Sequence, residues 1–386
     1  MKKNYLMTIV SLLLISLFFK CEKKSPFDVR IQEMSAELLH LYQEVPTVEF
    51  GNITTLFNGE ILRFLDEDQY YHVLEGLQHQ CDSWANVFYE AYRNYTDDQL
   101  SNLADSLGFD EYKPLRIFEQ QFSFNRNLRT SCEAQTEIWA EQGRMTNPPT
   151  DSLVNCPIEQ TLLSTHYEVC VGETIYQLRR GGTILEIPIA LIGDLSTIRR
   201  IDDVEAIMEI YPNVVVNNGN HGQGCYTSYC YREGWRINPH NANKNFTWSF
   251  LYRKALSGHR YKTSITMTNY KLSHGKWKKD KIRSGLASYT TLYKYSYQDS
   301  SCTPFIGDSI YLESVFPKRY WSKRKKTPPV ATIYDSTITI NGYYFKKIET
   351  ESFRIDPQES WINCYYDGIK YRYNISTLNE TIESIE

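Results

Sequence analysis

The chain has 386 residues, nine cysteines, 30 tyrosines and a formal net charge of −4. Its length excludes a single small domain and leaves room for two or three. The small net charge hides an uneven distribution. Residues 22–220 carry 14 Lys+Arg against 32 Asp+Glu, whereas residues 221–330 carry 20 against 5, and residues 331–386 carry 5 against 9. Opposite charge in the two halves allows them to dock on each other, or lets the basic segment face an anionic partner.

Residues Met1 to Lys24 have the pattern of an export signal. Lys2 and Lys3 precede the uncharged, apolar run Asn4 to Phe19, which is too short for the roughly 20 residues of a spanning helix. Cys21 follows, and a lipoprotein signal ending there would place an acylated cysteine at the mature N-terminus. Lys20 stands where such signals carry a small residue, so an uncleaved membrane anchor is the other reading. Either one places the chain in the cell envelope, and a lipid anchor at Cys21 implies the outer membrane, on either face. Nucleic acid is not an expected partner there.

The first block, residues 22–150, reads as an acidic helical domain. Ser35 to Leu41 forms a short amphipathic piece. Asp66 or Asp68 caps a longer helix towards Tyr95, with Tyr71, Leu74, Leu77, Cys81, Trp84, Val87, Phe88 and Ala91 on one stripe. Thr96 caps Asp97 to Leu107, and Gly108 stops it. Lys113 to Phe124 and Thr130 to Gln142 complete the helical set, and Gly143 to Asp151, with Asn147-Pro148-Pro149, is the linker.

Residues 151–386 change period and read as a Tyr-rich β domain. Tyr167 to Val171 and Thr174 to Leu178 form a hairpin about Gly172-Glu173, and Ile184 to Ile189 adds a strand. Ile201 to Tyr211 is a helix. Strands follow at Tyr226 to Tyr231, Phe246 to Tyr252, Tyr261 to Asn269, Leu286 to Tyr297 and Ser309 to Phe316. Asn341-Gly342 and Asp367-Gly368 mark two tight hairpins. The fold class is therefore α+β, an N-terminal helical domain followed by a mainly antiparallel, sandwich-like β domain.

Eight cysteines remain after Cys21: Cys81, Cys132, Cys156, Cys170, Cys225, Cys230, Cys302 and Cys364. An even number behind an export signal favours disulfides, with connectivity open. Cys81 with Cys132 could staple two helices, and Cys302 with Cys364 could tie the last hairpins to the sheet. Around Asn217 to Cys225, three readings compete. They are a Cys/His nucleophile site using Cys225 or Cys230 with His221 or His240, a metal site on those four residues, and a Gly/Asn-rich turn with oxidised cysteines. The turn is preferred, because a nucleophilic cysteine is favoured at a helix start and the following segment reads as strand. No cofactor, metal or catalytic residue is assigned.

Two basic runs interleave aromatics with cations, Lys276, Lys278, Lys279, Lys281 and Arg283 about Trp277, and Lys323, Arg324, Lys325 and Lys326 after Trp321. Both suit an anionic ligand on protruding loops. No phosphate-binding glycine loop, His-Glu-x-x-His helix, Gly-x-Ser-x-Gly elbow or calcium loop is present. The lipoprotein-like start, the helical block containing Leu103-Ala104-Asp105-Ser106-Leu107-Gly108-Phe109, the hairpin Tyr167 to Tyr176 and the Tyr- and Lys-rich β region together resemble uncharacterised envelope lipoproteins of Bacteroidetes. That resemblance implies no activity. The function expected is a non-enzymatic envelope module that binds an anionic glycan, a lipid headgroup or an envelope protein. A hydrolase acting on polysaccharide or peptide is one alternative, and a structural part of an outer-membrane assembly is another.

Overall fold

In the computed structural model, described residues are 36–124, 126–217, 229–254, 256, 261–280, 284–296, 309–314, 339–340, 343–344, 351–366, 369–375 and 380–384. Cys21 and the rest of the expected export signal lie outside them. Among the described residues no helix is long and apolar enough to cross a membrane.

The N-terminal half is helical for reasons visible in its caps. Helix α1 spans Ala36–Gln43 and α2 spans Glu67–Ala91. The Asp66 side chain accepts the Gln69 N–H at 2.8 Å, satisfying a backbone donor that the first turn of α2 leaves open. Helix α3, Asp97–Ser106, starts from a full Thr96/Gln99 capping box. Helices α4, Lys113–Gln121, and α5, Leu128–Gln142, follow, the latter capped by Asn127. The short α6 spans Pro157–Leu162, with proline at its first position. Trp84, Phe88 and Phe109 pack between α1, α2 and α3 with Leu38 and Leu100. The Phe88 and Phe109 rings stack at 3.7 Å. Each such buried aromatic stabilises the fold by roughly 1.5–3 kcal/mol relative to exposure.

Two short strands, β1 (Thr54–Leu56) and β2 (Ile61–Phe64), sit among these helices. They join β3 (Glu168–Val171), β4 (Thr174–Leu178), β5 (Ile184–Pro188) and β6 (Val215–Asn217) in one sheet in sequential order. All its pairs are antiparallel except β2 with β3. That parallel pair bridges residues 64 and 171, so the sheet draws strands from both sides of Gly143 to Asp151. One face packs on α2, α4, α5 and α6 through Leu62, Phe64, Val169 and Val171. The other packs Ile61, Cys170, Ile175, Leu185 and Ile187 on α7 (Leu195–Ile198) and α8 (Val204–Ile210).

The C-terminal half is antiparallel. Strands β7 (Cys230–Asn238), β8 (Asn241–Lys254), β9 (Tyr261–Ser273) and β10 (Lys276–Lys279) form a four-stranded sheet in the order β10-β9-β8-β7. A five-stranded sheet follows, built from β11 (Ser284–Ser296), β12 (Ser309–Ser314), β15 (Glu351–Tyr366), β16 (Ile369–Asn374) and β17 (Glu380–Ser384). Strands β13 (Thr339–Ile340) and β14 (Tyr343–Tyr344) pair separately across Asn341-Gly342. The fold is α+β, helices first and antiparallel-rich sheets after.

Side chains alternate across a strand, so the four-stranded sheet has two different faces. Phe246, Trp248, Phe250, Ile265 and Met267 form an apolar face, every one of them buried. It meets the five-stranded sheet where Phe246 lies 4.9 Å from Tyr371 and Trp248 lies 4.8 Å from Tyr373. The opposite face carries Thr247, Ser249, Ser264, Thr266 and Thr268, and turns towards the helical half.

Candidate functional site: the groove between the helices and the four-stranded sheet

The hydroxyl-bearing face of β8 and β9 does not close onto the helices. A groove of about 390 Å³ remains between it, α5 and the segment from Pro148 to Gln160. Its floor is read from the strand register. Thr247 stands directly opposite Thr268, the next rung is Ser249 opposite Thr266, and Asn245 opposite Tyr270 lies on the other side. Trp277 of β10 stands opposite Leu272, and Lys279 opposite Tyr270.

Asn155 closes the inner end. Its side-chain NH₂ donates to Ser249 Oγ at 3.0 Å and to the Ser264 carbonyl at 3.2 Å, and its backbone carbonyl accepts the Thr266 hydroxyl at 2.9 Å. These contacts fix the amide orientation, because only the nitrogen can donate to both oxygens. Asn155 Oδ1 is then left without a hydrogen-bond partner. Ser249 and Thr266 are thus occupied, whereas the Thr247/Thr268 rung is left to a ligand or water.

The outer end is aromatic. Trp139 of α5 stacks on Trp277 at 6.0 Å with planes 8° apart, and Tyr270 meets Trp139 edge-on at 5.1 Å. Trp139 Nε1 donates to the Thr146 carbonyl and Trp277 Nε1 to the Arg144 carbonyl. This cluster ties the β9–β10 hairpin to the end of α5.

The helical wall holds two arginines that are paired within the protein, and exposed Glu137 beside them. Arg116 Nε meets Asp110 Oδ2 at 2.5 Å and its guanidinium also reaches Glu133 at 3.3 Å. Arg129 pairs with Glu133 at 2.7 Å and forks onto both Glu119 oxygens at 2.7 and 2.5 Å. Burial works to raise the Asp110 carboxyl, but the Arg116 charge and hydrogen bond, the Tyr112 N–H and Lys279 together hold it below its usual range. For Glu119 burial wins over Arg129, and its carboxyl is pushed up. Glu119 lies behind the wall, bound bidentately, and does not line the groove.

Asp151, at the end of the Pro-rich segment, accepts the Leu153 and Val154 N–H groups at 2.8 Å each and the Tyr167 hydroxyl at 2.8 Å. Cys132 Sγ lies 4.0 Å from the same carboxylate. Burial, Asp151 and Glu133 push the Cys132 thiol up to about 12. A thiol so disposed stays protonated near neutrality and is a poor nucleophile.

The residues singled out by sequence fall as follows. Lys276 pairs with Glu141 of α5, Lys279 sits 5.4 Å from the Tyr112 ring centre, and Lys278 is exposed. Nearby, Lys271 Nζ reaches Asp105 of α3 at 3.8 Å and Asp280 at 4.0 Å. The basic hairpin therefore touches the acidic helical half through Lys276 and Lys271, while Lys278 faces solvent. Lys281, Arg283, Lys323, Arg324, Lys325 and Lys326 lie outside the described residues, as do His221, Cys225 and Cys302. Cys230 is a buried free thiol at the start of β7, raised by burial. His240 sits in the β7–β8 turn, its N–H bonded to Asn238 Oδ1. Cys81, Cys132, Cys156, Cys170 and Cys364 are also free thiols, and no described pair forms a disulfide. The expected Cys81–Cys132 staple is not formed, because Cys81 is sealed into the core beneath α2 while Cys132 opens towards Asp151.

The groove itself was not singled out from sequence. Its signal is the alternation Asn245-Phe246-Thr247-Trp248-Ser249-Phe250, polar against aromatic at period two.

No protein-family model matches the chain, and a search of curated proteins finds no match. Among solved structures, the chain is similar to a DUF4848 family protein from Bacteroides thetaiotaomicron. That comparison has 11% identity and covers 82% of this chain and 95% of the other, with a TM-score of 0.17. A score that low is short of a shared fold and says nothing of function.

Proposed function

We propose that the chain is a non-enzymatic binding module of the cell envelope, and that its ligand is an uncharged, hydroxyl-rich molecule such as a glycan segment held in the α5/β8–β9 groove. One observation carries this reading: the Thr247/Thr268 hydroxyl rung lines the groove without a hydrogen bond to another described residue, while the arginines of the wall, Arg116 and Arg129, are held by Asp110, Glu133 and Glu119. Hydroxyls that both donate and accept suit a polyol, and Tyr and Trp surfaces suit the apolar faces of a sugar ring. The envelope location rests on Met1 to Cys21 and is tested separately, by mass spectrometry of the mature N-terminus.

The shift from the anionic ligand suggested by composition follows from Lys276 and Lys271, both engaged with carboxylates of the helical half. The hydrolase alternative finds less support at this groove. A general acid needs a pKa raised towards the working pH, and Asp110 is held low. The thiol version needs a depressed cysteine, and Cys132 is raised. A screen of neutral and anionic glycans against the full chain, repeated with Thr247→Val and Thr268→Val, tests the proposal. Hits should be neutral and should weaken in both variants. A screen whose hits are all acidic, or are indifferent to the two substitutions, would overturn it.

A further inference from the structure

A second and larger cavity, about 860 Å³, lies on the other side of the Pro149 to Leu153 segment, between α5, the turn before β3 and the turn after β4. Its chemistry differs from that of the groove. Arg179, Arg180 and Arg199 all line it, facing Asp151 and Asp202.

The charges do not cancel by contact. Arg199 is spent, with its guanidinium held by Glu168 at 2.6 Å and Glu60 at 3.0 Å. Arg179 binds neutral oxygens instead. It donates to the carbonyls of Ile198, at 2.7 Å, and Ile201, and to Gln177 Oε1 at 2.9 Å. Its positive charge is anchored, half-buried and without a contacting carboxylate. Arg180 is exposed at the rim and has no partner among the described residues. On the acidic side, Asp151 is already satisfied by two N–H groups and a tyrosine hydroxyl, leaving exposed Asp202 as the opposing charge.

The turn that presents Arg180 is held in place. Arg179 N–H donates to the Thr183 carbonyl at 2.8 Å and Gly182 N–H to the Arg179 carbonyl at 3.2 Å. Gly181 and Gly182 both take positive φ, 72° and 75°, which glycine adopts without strain. A Cβ on Gly182 would come within 2.8 Å of the Tyr229 ring, and Tyr229 in turn donates to the Ser152 carbonyl at 2.7 Å. The backbone of the turn that carries both arginines is thus fixed against the segment that forms the opposite wall. The Arg180 guanidinium, whose N–H donors are not taken up by the described residues, suits a planar or tetrahedral oxyanion, which it can bind through two N–H groups at once.

We propose that this cavity is an oxyanion site, taking a small molecule through a carboxylate or phosphate group held by Arg180 with the field of Arg179 behind it. The site is separate from the groove and independent of the function proposed for it. Titration of the full chain by calorimetry with inorganic phosphate, and separately with succinate, tests it and tells the two oxyanions apart. Saturable binding of either, weakened at least tenfold in Arg180→Ala and unaltered in Thr247→Val, is the expected result. Arg180 is exposed, so its removal leaves the fold intact, and an unchanged circular dichroism spectrum verifies this. No saturable binding of either anion, or binding equally strong in Arg180→Ala, would overturn the proposal.

Discussion

Arg253 of β8 and Glu159 of α6 meet at 2.6 Å, with their side chains 0% and 3% exposed. Arg253 also donates through Nε to the Leu153 carbonyl at 3.0 Å. This is a place where the four-stranded sheet is pinned to the helical half, on the segment that also carries Asn155. Burying two charges is costly, and a well-bonded pair mainly offsets its own desolvation, but removing one partner strands the other. Arg253→Met should therefore lose about 3–5 kcal/mol in urea unfolding. Adding Glu159→Leu to it should recover a large part of that loss, because no buried charge is left unpaired. A double variant no more stable than Arg253→Met would show that the pair does not act as a unit.

A second junction holds the outer end. Gly143 ends α5 in the left-handed region at φ 60°, and a Cβ built there would lie 1.9 Å from the Gly275 carbonyl oxygen of the β9–β10 turn. Gly143→Ala thus meets both backbone strain and a clash with main chain. It should cost more than about 1 kcal/mol and loosen the Trp139/Trp277 stack. Tryptophan fluorescence should shift to the red in this variant while helix content by circular dichroism holds.

The pH response of the groove wall follows from Asp110. Its folded carboxyl is depressed, so its contribution to stability is complete above the unfolded value of about 3.9 and is lost as pH falls through the lower folded value. Asp110→Asn should be less stable than the parent at pH 7, and the difference should shrink below about pH 4. Denaturant midpoints for both proteins at pH 7 and pH 3 measure this. A gap that widens in acid would reverse the sign argued here.

Cys132 provides a chemical check on the binding reading. With its thiol pushed up to about 12, iodoacetamide at pH 8 should alkylate it at least about a hundredfold more slowly than a free thiol of ordinary pKa. Mass spectrometry, with Cys132→Ser identifying the peptide, follows the rate. Rapid labelling would mean an activated cysteine and would revive the thiol-hydrolase alternative.

Local signals in this chain were readable where one residue decides the geometry. Asp66, Thr96 and Gly108 set helix ends where their cap chemistry places them, Gly172 sits at the hairpin expected of it, and Tyr366 pairs with Ile369 where the last tight hairpin was expected. The stripe on α2 was legible in Tyr71, Leu74, Leu77, Cys81, Trp84 and Phe88, but the helix is covered more widely and also buries Tyr70, Val73, Gly76 and Ala85. Strand β2 was missed because Ile61–Phe64 is too short to show a period, and it is held by the equally short β1 and by β3 some hundred residues away. The groove was hidden for a related reason. Thr247 and Thr268 mean little apart, and strand register alone makes them neighbours. Charge asymmetry was read as two possibilities, and the two ion pairs Lys276 with Glu141 and Lys271 with Asp105 are contacts of the internal kind.

The most direct measurement of the central claim is the affinity of the full chain for a neutral oligosaccharide at 20 mM and at 500 mM NaCl, beside a sulfated oligosaccharide of the same backbone. A ligand held by hydroxyls and aromatic faces should bind with less than about twofold change between the two salts, since screening acts on charge. It should bind about tenfold more weakly to Thr247→Val/Thr268→Val, about 1.4 kcal/mol, and with unchanged affinity to Lys276→Ala/Lys278→Ala. Binding confined to the sulfated form, abolished by salt and by the lysine substitutions, would contradict the groove as the ligand site.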